Sequence, residues 1–335
     1  MQIIIRVFFL LIISNLAFTQ EVSFFNADGF FSIGLEKNRT ASITLIDIDL
    51  DGDLDALVAN GRHWAEDNYI YYNDGNGGFK TAQVIGKYLE ATYAIKCADF
   101  NNDEFMDIAI VNDNVPNKIY FGSVNQRFDN ERSFGSVSPS RNLEIGDIDN
   151  DGDIDLIISN RKSENEICLN DGNGNFDNII TFGNKSDQTI QTKVIDINND
   201  GYLDLITAER QSKNKIFIND KENRFTKIIE FGNDEDETRS IDVGDLNNDG
   251  FLDIVSGNLN SKNSIHFGDI DLSFKKVFYF KSKNKTSSVK LADLNKDGYL
   301  DIIFGNSEER NYVYLGNKNG VFKNSPKLFC ISFNA

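Results

Sequence analysis

Short apolar runs and polar turns alternate along most of the chain, and no stretch sustains a helical period. The runs Leu54–Ala59, Ile154–Ser159 and Leu300–Gly305 are apolar or small almost throughout. A run of that length without alternation predicts a strand buried on both faces. Ser42–Ile46 and Lys290–Ala292 precede such runs across an acidic loop. Asn117–Phe121 predicts a further strand, opened by Asn and rich in aromatics. The segment Asn170–Asn175 has the Gly/Asn chemistry of a hairpin turn and leads into a last strand, Phe176–Phe182.

This four-strand unit repeats. The acidic segment Asp47–Asp55 recurs from Asp99, Asp147, Asp196, Asp245 and Asp293, at intervals of 52, 48, 49, 49 and 48 residues. A Phe after the polar turn (Phe79, Phe128, Phe176, Phe225, Phe274, Phe322) keeps the same period. So does an Asn opening the third run (Asn68, Asn117, Asn165, Asn214, Asn263, Asn311). Four strands per unit of this length predict an all-β propeller built of four-stranded blades. Six acidic loops favour six blades. A seventh copy of the last-strand pattern at Ala27–Gly34 leaves two readings open. Either that strand replaces residues 322–329, where Pro326 suits an interior strand poorly, or a seventh blade is incomplete.

The acidic loops carry the candidate chemistry. Oxygen side chains at positions 1, 3, 5 and 9 of a tight turn can converge on one cation, and calcium accepts six to eight such ligands. The first loop offers Asp47, Asp49, Asp51 and Asp55, and the third Asp147, Asp149, Asp151 and Asp155. The second has Asp99, Asn101, Asp103 and Asp107, and the fourth Asp196, Asn198, Asp200 and Asp204. The fifth has Asp245, Asn247, Asp249 and Asp253, and the sixth Asp293, Asn295, Asp297 and Asp301. Position 7 is expected to offer its backbone carbonyl from Asp53 and Asp153, since Tyr202, Phe251 and Tyr299 stand there elsewhere. Gly52 at position 6 permits positive φ; Glu104 replaces it in the second loop and makes that site the weakest. Apolar residues at positions 2 and 8 are expected to anchor each loop inward. The competing reading is that Asp and Asn cap these turns without metal.

Charge bears on that choice. Lys and Arg number 34 against 52 Asp and Glu, a net −18, which argues against nucleic acid or an anionic membrane as partner. Twenty carboxylates stand at ligand positions and would repel one another without a cation. Three cysteines, Cys97, Cys168 and Cys330, make no disulfide framework, and two histidines make a His-based zinc site unsuitable. Residues 1–19 read as a signal peptide, with Arg6 before an apolar stretch too short to span a bilayer. A short uncleaved anchor is the other reading. Residues 20–335 then form a single domain without a membrane span.

The acidic loops, the blade-length period and the Phe-Gly pairs (Phe121-Gly122, Phe182-Gly183, Phe231-Gly232, Phe267-Gly268) resemble the FG-GAP/VCBS repeats of integrin α-chain-like propellers. The resemblance covers residues 27–335. It implies a secreted, extracellular or cell-surface propeller holding up to six Ca²⁺, non-enzymatic, and serving binding or adhesion to a protein or glycan. The alternative it leaves open is a polysaccharide lyase or hydrolase on a calcium propeller. The first repeat carries three extra residues within Gly61–Asp67, among them His63 and Trp64, the only Trp. These two are the candidate ligand-binding residues, or else a longer surface turn whose Trp covers a neighbouring blade. His266 and Cys168 share the register of Tyr71 and Phe217, and Cys97 that of Leu45 and Val194. All three are expected to be packed strand residues.

Overall fold

The computed structural model describes residues 33–34, 37–320 and 322–324. The expected signal peptide, most of the strand expected at Ala27–Gly34, Pro326 and Cys330 lie outside the described residues. All regular structure among those described is β-strand. The first repeat supplies β1 (Thr40–Ile46), β2 (Asp55–Asn60), β3 (Glu66–Tyr72) and β4 (Thr81–Glu90). The second supplies β5 (Thr92–Ala98), β6 (Asp107–Asn112), β7 (Asn117–Phe121) and β8 (Asn130–Phe134). The third gives β9 (Ser140–Gly146), β10 (Asp155–Asn160), β11 (Asn165–Leu169) and β12 (Asn178–Phe182). The fourth gives β13 (Thr189–Ile195), β14 (Asp204–Glu209), β15 (Asn214–Ile218) and β16 (Lys227–Phe231). Each of these four is a separate antiparallel sheet whose strands follow in chain order.

The remaining strands are β17 (Thr238–Gly244), β18 (Asp253–Phe267), β19 (Lys276–Ala292), β20 (Asp301–Asn306), β21 (Tyr312–Leu315) and β22 (Lys323–Asn324). They form one six-stranded sheet in place of the two four-stranded sheets expected from the repeats. The cause is local. In the fifth repeat the second-to-third connection pairs with the segment leading into the sixth, through Leu259↔Lys285, Ser261↔Asn284 and Lys262↔Lys283. Those pairings make β18 and β19 continuous where the other repeats break.

The burial pattern explains the layering. The second strands β2, β6, β10 and β14 are buried from end to end, as their unbroken apolar runs require. The fourth strands β8, β12 and β16 are mostly exposed. First strands pack on one another in series, β1 on β5, β5 on β9, β9 on β13, β13 on β17 and β17 on β19. First strands inside and fourth strands outside make an all-β propeller. The inner strands pair charges between neighbours, Lys96 with Glu144 at 2.7 Å and Lys193 with Asp242 at 2.8 Å.

Two of the repeating landmarks hold adjacent repeats together. The turn Phe packs under the preceding repeat's acidic loop: Phe176 meets Phe100 edge-on at 5.9 Å, and Phe225 shares a core cluster with Ile148. The Asn that opens the third strand accepts from the main chain of its own repeat, and at Asn68, Asn165 and Asn263 it also donates to the next. Asn68 Oδ1 takes the Asn60 amide at 2.8 Å, while its Nδ2 donates to Thr92 Oγ1 at 2.8 Å. Position 2 of the acidic loops is buried in the first five loops, as expected. Position 8 differs in the first loop, where Leu54 is 55% exposed. In later repeats this side chain lies over the end of the preceding first strand. A Cβ on Gly146 would stand 3.0 Å from Leu203, and one on Gly244 2.6 Å from Leu300.

Candidate metal centres

Each acidic loop is wound by its own position-1 carboxylate. Asp47 accepts the amides of Asp51 and Gly52, both at 3.0 Å, and Asp147 accepts those of Asp151 and Gly152, both at 3.0 Å. Position 5 then accepts from position 7, Asp51 from Asp53 at 3.1 Å and Asp151 from Asp153 at 2.9 Å. This winding needs positive φ at two places. Gly52 sits at 98° and Gly152 at 97°, and position 4 is also left-handed, with Leu50 at 62° and Asn150 at 58°. Glu104 is held at 72° in the second loop, a costly conformation for a residue with a Cβ.

Winding the loop gathers its carboxylates. Oxygens of Asp47, Asp49 and Asp51 lie within 4.8 Å of one another, and so do those of Asp147, Asp149 and Asp151. Asp49 Oδ1 and Asp149 Oδ1 are buried and accept no hydrogen bond. Burial first, then the neighbouring carboxylates, raises both acids above the usual carboxylate range. A buried, unpartnered oxygen between two like charges is costly, and a divalent cation removes both costs together. The donor set is all hard oxygen, which suits calcium.

The other loops carry Asn at position 3 and are partly satisfied from within. Asn101 and Asn295 donate to Asp103 and Asp297 at 3.0 and 2.9 Å. Asn198 and Asn247 accept the amides of Asp200 and Asp249, both at 2.9 Å. In the fourth loop Lys221 Nζ stands 3.7 Å from Asp200 and 4.9 Å from the Tyr202 ring centroid, a fixed cation beside the ligand set. Positions 1 and 5 are built alike throughout: Asp99, Asp196, Asp245 and Asp293 accept the position-5 amides at 3.0 to 3.2 Å.

Position 9, expected as the fourth ligand, also accepts two backbone amides. Asp155 takes the Ile148 amide on one oxygen and the Asn170 amide on the other, both at 2.8 Å. Asp55, Asp107, Asp204, Asp253 and Asp301 are held the same way, by position 2 of their own loop and by the residue after the third strand. Each ties loop to hairpin across the blade. Burial pushes Asp107, Asp204 and Asp253 up to about 6 and Asp155 up to about 7, against the pull of the two amides. At position 7, Asp153 is engaged by a neighbouring repeat, while Asp53 Oδ1 is buried without a partner. Asp153 accepts from Asn102 at 3.0 Å, and its carboxylate would stand 2.6 Å from a Cβ on Gly172.

His63 and Trp64 lie at the other end of the molecule. In an antiparallel meander the first-to-second and third-to-fourth connections share one end, and the second-to-third connections the opposite one. His63 sits in the second-to-third connection at φ 81°, with its Nδ1 2.9 Å from the Tyr93 hydroxyl. Burial first, then Arg62 and Arg141, lowers its pKa. Trp64 is 64% exposed, and the Arg39 guanidinium lies 5.3 Å from its ring centroid. Tyr93 escaped the sequence reading because it stands in the next repeat, 30 residues from His63. His266 is buried, edge-on to Phe231 at 5.1 Å and 3.0 Å from Ser264 Oγ. Cys97 and Cys168 are buried free thiols, and burial pushes Cys97 up to about 12.

A model of the FG-GAP-like repeat matches six overlapping stretches: residues 47–110, 99–158, 147–207, 196–256, 245–304 and 293–335. No curated protein matches the chain. Among solved structures, the chain resembles BBS1N in complex with ARL6DN, in a mercury-soaked crystal. The TM-score is 0.57 at 14% identity, over 88% of this chain and 83% of that one. The lead-soaked crystal of the same complex gives 0.56 at 14% identity, over 88% and 84%.

Proposed function

The chain belongs to the FG-GAP-like repeat family, and on that premise we propose that it is a secreted, calcium-stabilised binding module and not an enzyme. The observation that carries the calcium assignment is the pair of buried, unpartnered oxygens, Asp49 Oδ1 and Asp149 Oδ1, each inside a carboxylate triad. The loops at Asp47 and Asp147 are the strongest sites, and the four loops with Asn at position 3 bind more weakly. The binding role is supported by the family and by the neighbouring propeller's complex with a protein partner. Calorimetric titration of calcium into the chelator-treated chain tests it. The expected result is at least two tighter sites followed by weaker ones, with Asp49→Asn and Asp149→Asn each removing one tighter site. Heat indistinguishable from dilution, with metal-free protein at the start, contradicts the assignment.

We also infer that the ring counts six blades. Six family repeats support this, as does the division of β18 and β19 at the points where the other repeats turn. The fifth and sixth blades then share β19.

The second reading, a polysaccharide-active enzyme, is favoured by one observation. His63, hydrogen-bonded to Tyr93 and with its pKa lowered by burial and by Arg62 and Arg141, is the kind of group that could take a proton from a uronate. Calcium-dependent release of unsaturated product from an acidic polysaccharide, abolished by His63→Ala, would replace the binding-only reading.

A further inference from the structure

In a chain of net charge −18, arginines gather at the end of the ring away from the acidic loops. Arg141 and Arg239 stand at the beginnings of the inner strands β9 and β17, and Arg161 and Arg210 directly follow β10 and β14. Arg62 joins them from the longer connection of the first repeat. Their mutual influence places them together. Arg161 is lowered by burial, then by Arg141 and Arg210. Arg239 of the fifth repeat is lowered by burial, by Arg210 and also by Arg62 of the first. Contacts gather them in two groups: Glu237 bridges Arg210 and Arg239, and the Tyr93 ring joins Arg141 to His63, the neighbour of Arg62.

The countercharge is incomplete. Asp113 holds Arg141 with both oxygens, at 3.0 and 3.2 Å. Glu237 Oε1 is shared between Arg210, at 2.6 Å, and Arg239. Among the described residues the Arg161 and Arg62 guanidinium groups have no hydrogen-bond or ion-pair partner. The Nε–H groups of Arg210 and Arg239 are buried without an acceptor. Five guanidinium groups thus face two carboxylates; Arg62 is exposed and Arg161 half-buried, while the Nε–H donors of Arg210 and Arg239 are already stripped of water. Desolvated, unpaired guanidinium donors are costly to the free protein, and an oxyanion that accepts from them in bidentate fashion recovers that cost. Arg141 is further fixed by the Tyr93 ring, 4.2 Å from its Cζ, and Tyr93 in turn holds His63. Next in the chain is Trp64, exposed and backed by Arg39, a flat apolar surface beside a basic mouth.

We propose that this mouth is the ligand-binding site and that it takes an acidic glycan, its carboxylate or sulfate groups received by Arg161 and Arg210 and a sugar face by Trp64. The aromatic plate is what favours a glycan over an acidic peptide, because a pyranose ring stacks on an indole face while its acidic substituent reaches the arginines. The inference rests on the binding-module reading and names its ligand class and face.

Trp64 is the only Trp, so its emission reports this site alone. The mature chain in calcium is titrated with a galacturonate oligomer, a heparin oligomer, a neutral glucan oligomer and a polyglutamate peptide, read by tryptophan emission and calorimetry. The two acidic oligosaccharides are compared to tell carboxylate from sulfate. The expected result is saturable binding of at least one of them, none of the neutral glucan, and weakening with added salt. Arg161→Ala weakens binding about tenfold or more, the loss of charged hydrogen bonds. Lys80→Ala on the acidic-loop face leaves it unchanged. Unfolding midpoints of both variants check that the fold is kept. Binding that survives Arg161→Ala, or that leaves Trp64 emission unmoved, overturns this site while the binding-module reading stands. Binding of polyglutamate alone overturns the glycan class, and no binding by any probe overturns the proposal.

Discussion

Asp149 and Asp155 stand six residues apart and do different work. Asp155 spends both oxygens on backbone amides, so Asp155→Asn turns one acceptor into a donor facing a donor. The expected loss is about 2–4 kcal/mol in denaturant unfolding, with calcium or without. Asp149 has an oxygen with no partner. Asp149→Asn is expected to weaken calcium binding while leaving stability in chelator unchanged or higher. The alternating acidic pattern made positions 1, 3 and 5 legible in the sequence. It could not show that position 9 also latches the loop to the hairpin, because that role calls for the same residue type as a ligand. A second residue-scale test is pH. Burial holds His266 at about 4, below its unfolded value near 6.5. A depressed folded pKa means that the unfolded chain takes up the proton first as pH falls. Stability from the neutral ring is therefore complete above 6.5 and lost as pH falls toward 4, on the order of 3 kcal/mol. His266→Phe, the residue type that Phe217 supplies in the fourth repeat, should flatten this part of the profile relative to the parent chain.

Among the elements, strands were read most closely where an Asn or an unbroken apolar run marks them. Asn117–Phe121 coincides with β7, and Ile154–Ser159 is β10 shifted by one residue. The joined strands β18 and β19 were not legible, since Leu259–Lys262 and Lys281–Lys285 are polar stretches that read as turns. Only their pairing with each other, across some 25 residues, makes them strand. The arginine mouth was hidden for a similar reason. Its members come from four repeats, and only the propeller topology brings them to one end. The second acidic loop gives the element-scale prediction. Glu104 holds φ 72° where the other loops have Gly, so Glu104→Gly removes a strained left-handed residue. It should stabilise the chain by about 1 kcal/mol and strengthen calcium binding at that loop.

For the whole molecule, the acidic loops gather carboxylates at one end of the ring, and the arginines of the proposed mouth stand at the other. Calcium held as proposed would neutralise the first end and couple the blades, because the loops at Asp99 and Asp147 lie on the turn Phe of the next repeat. Extracellular calcium modules bind at about 10⁻⁴–10⁻³ M, so each filled site adds on the order of 1 kcal/mol at millimolar calcium. Several sites together are comparable to the stability of a domain. The most direct test is thermal unfolding of residues 20–335 in millimolar calcium and again in chelator, with metal content measured on both samples. A calcium-stabilised propeller should unfold roughly 10 °C higher in calcium, with metal present before heating and absent after chelation. Equal midpoints from samples shown to be calcium-loaded and calcium-free would contradict it.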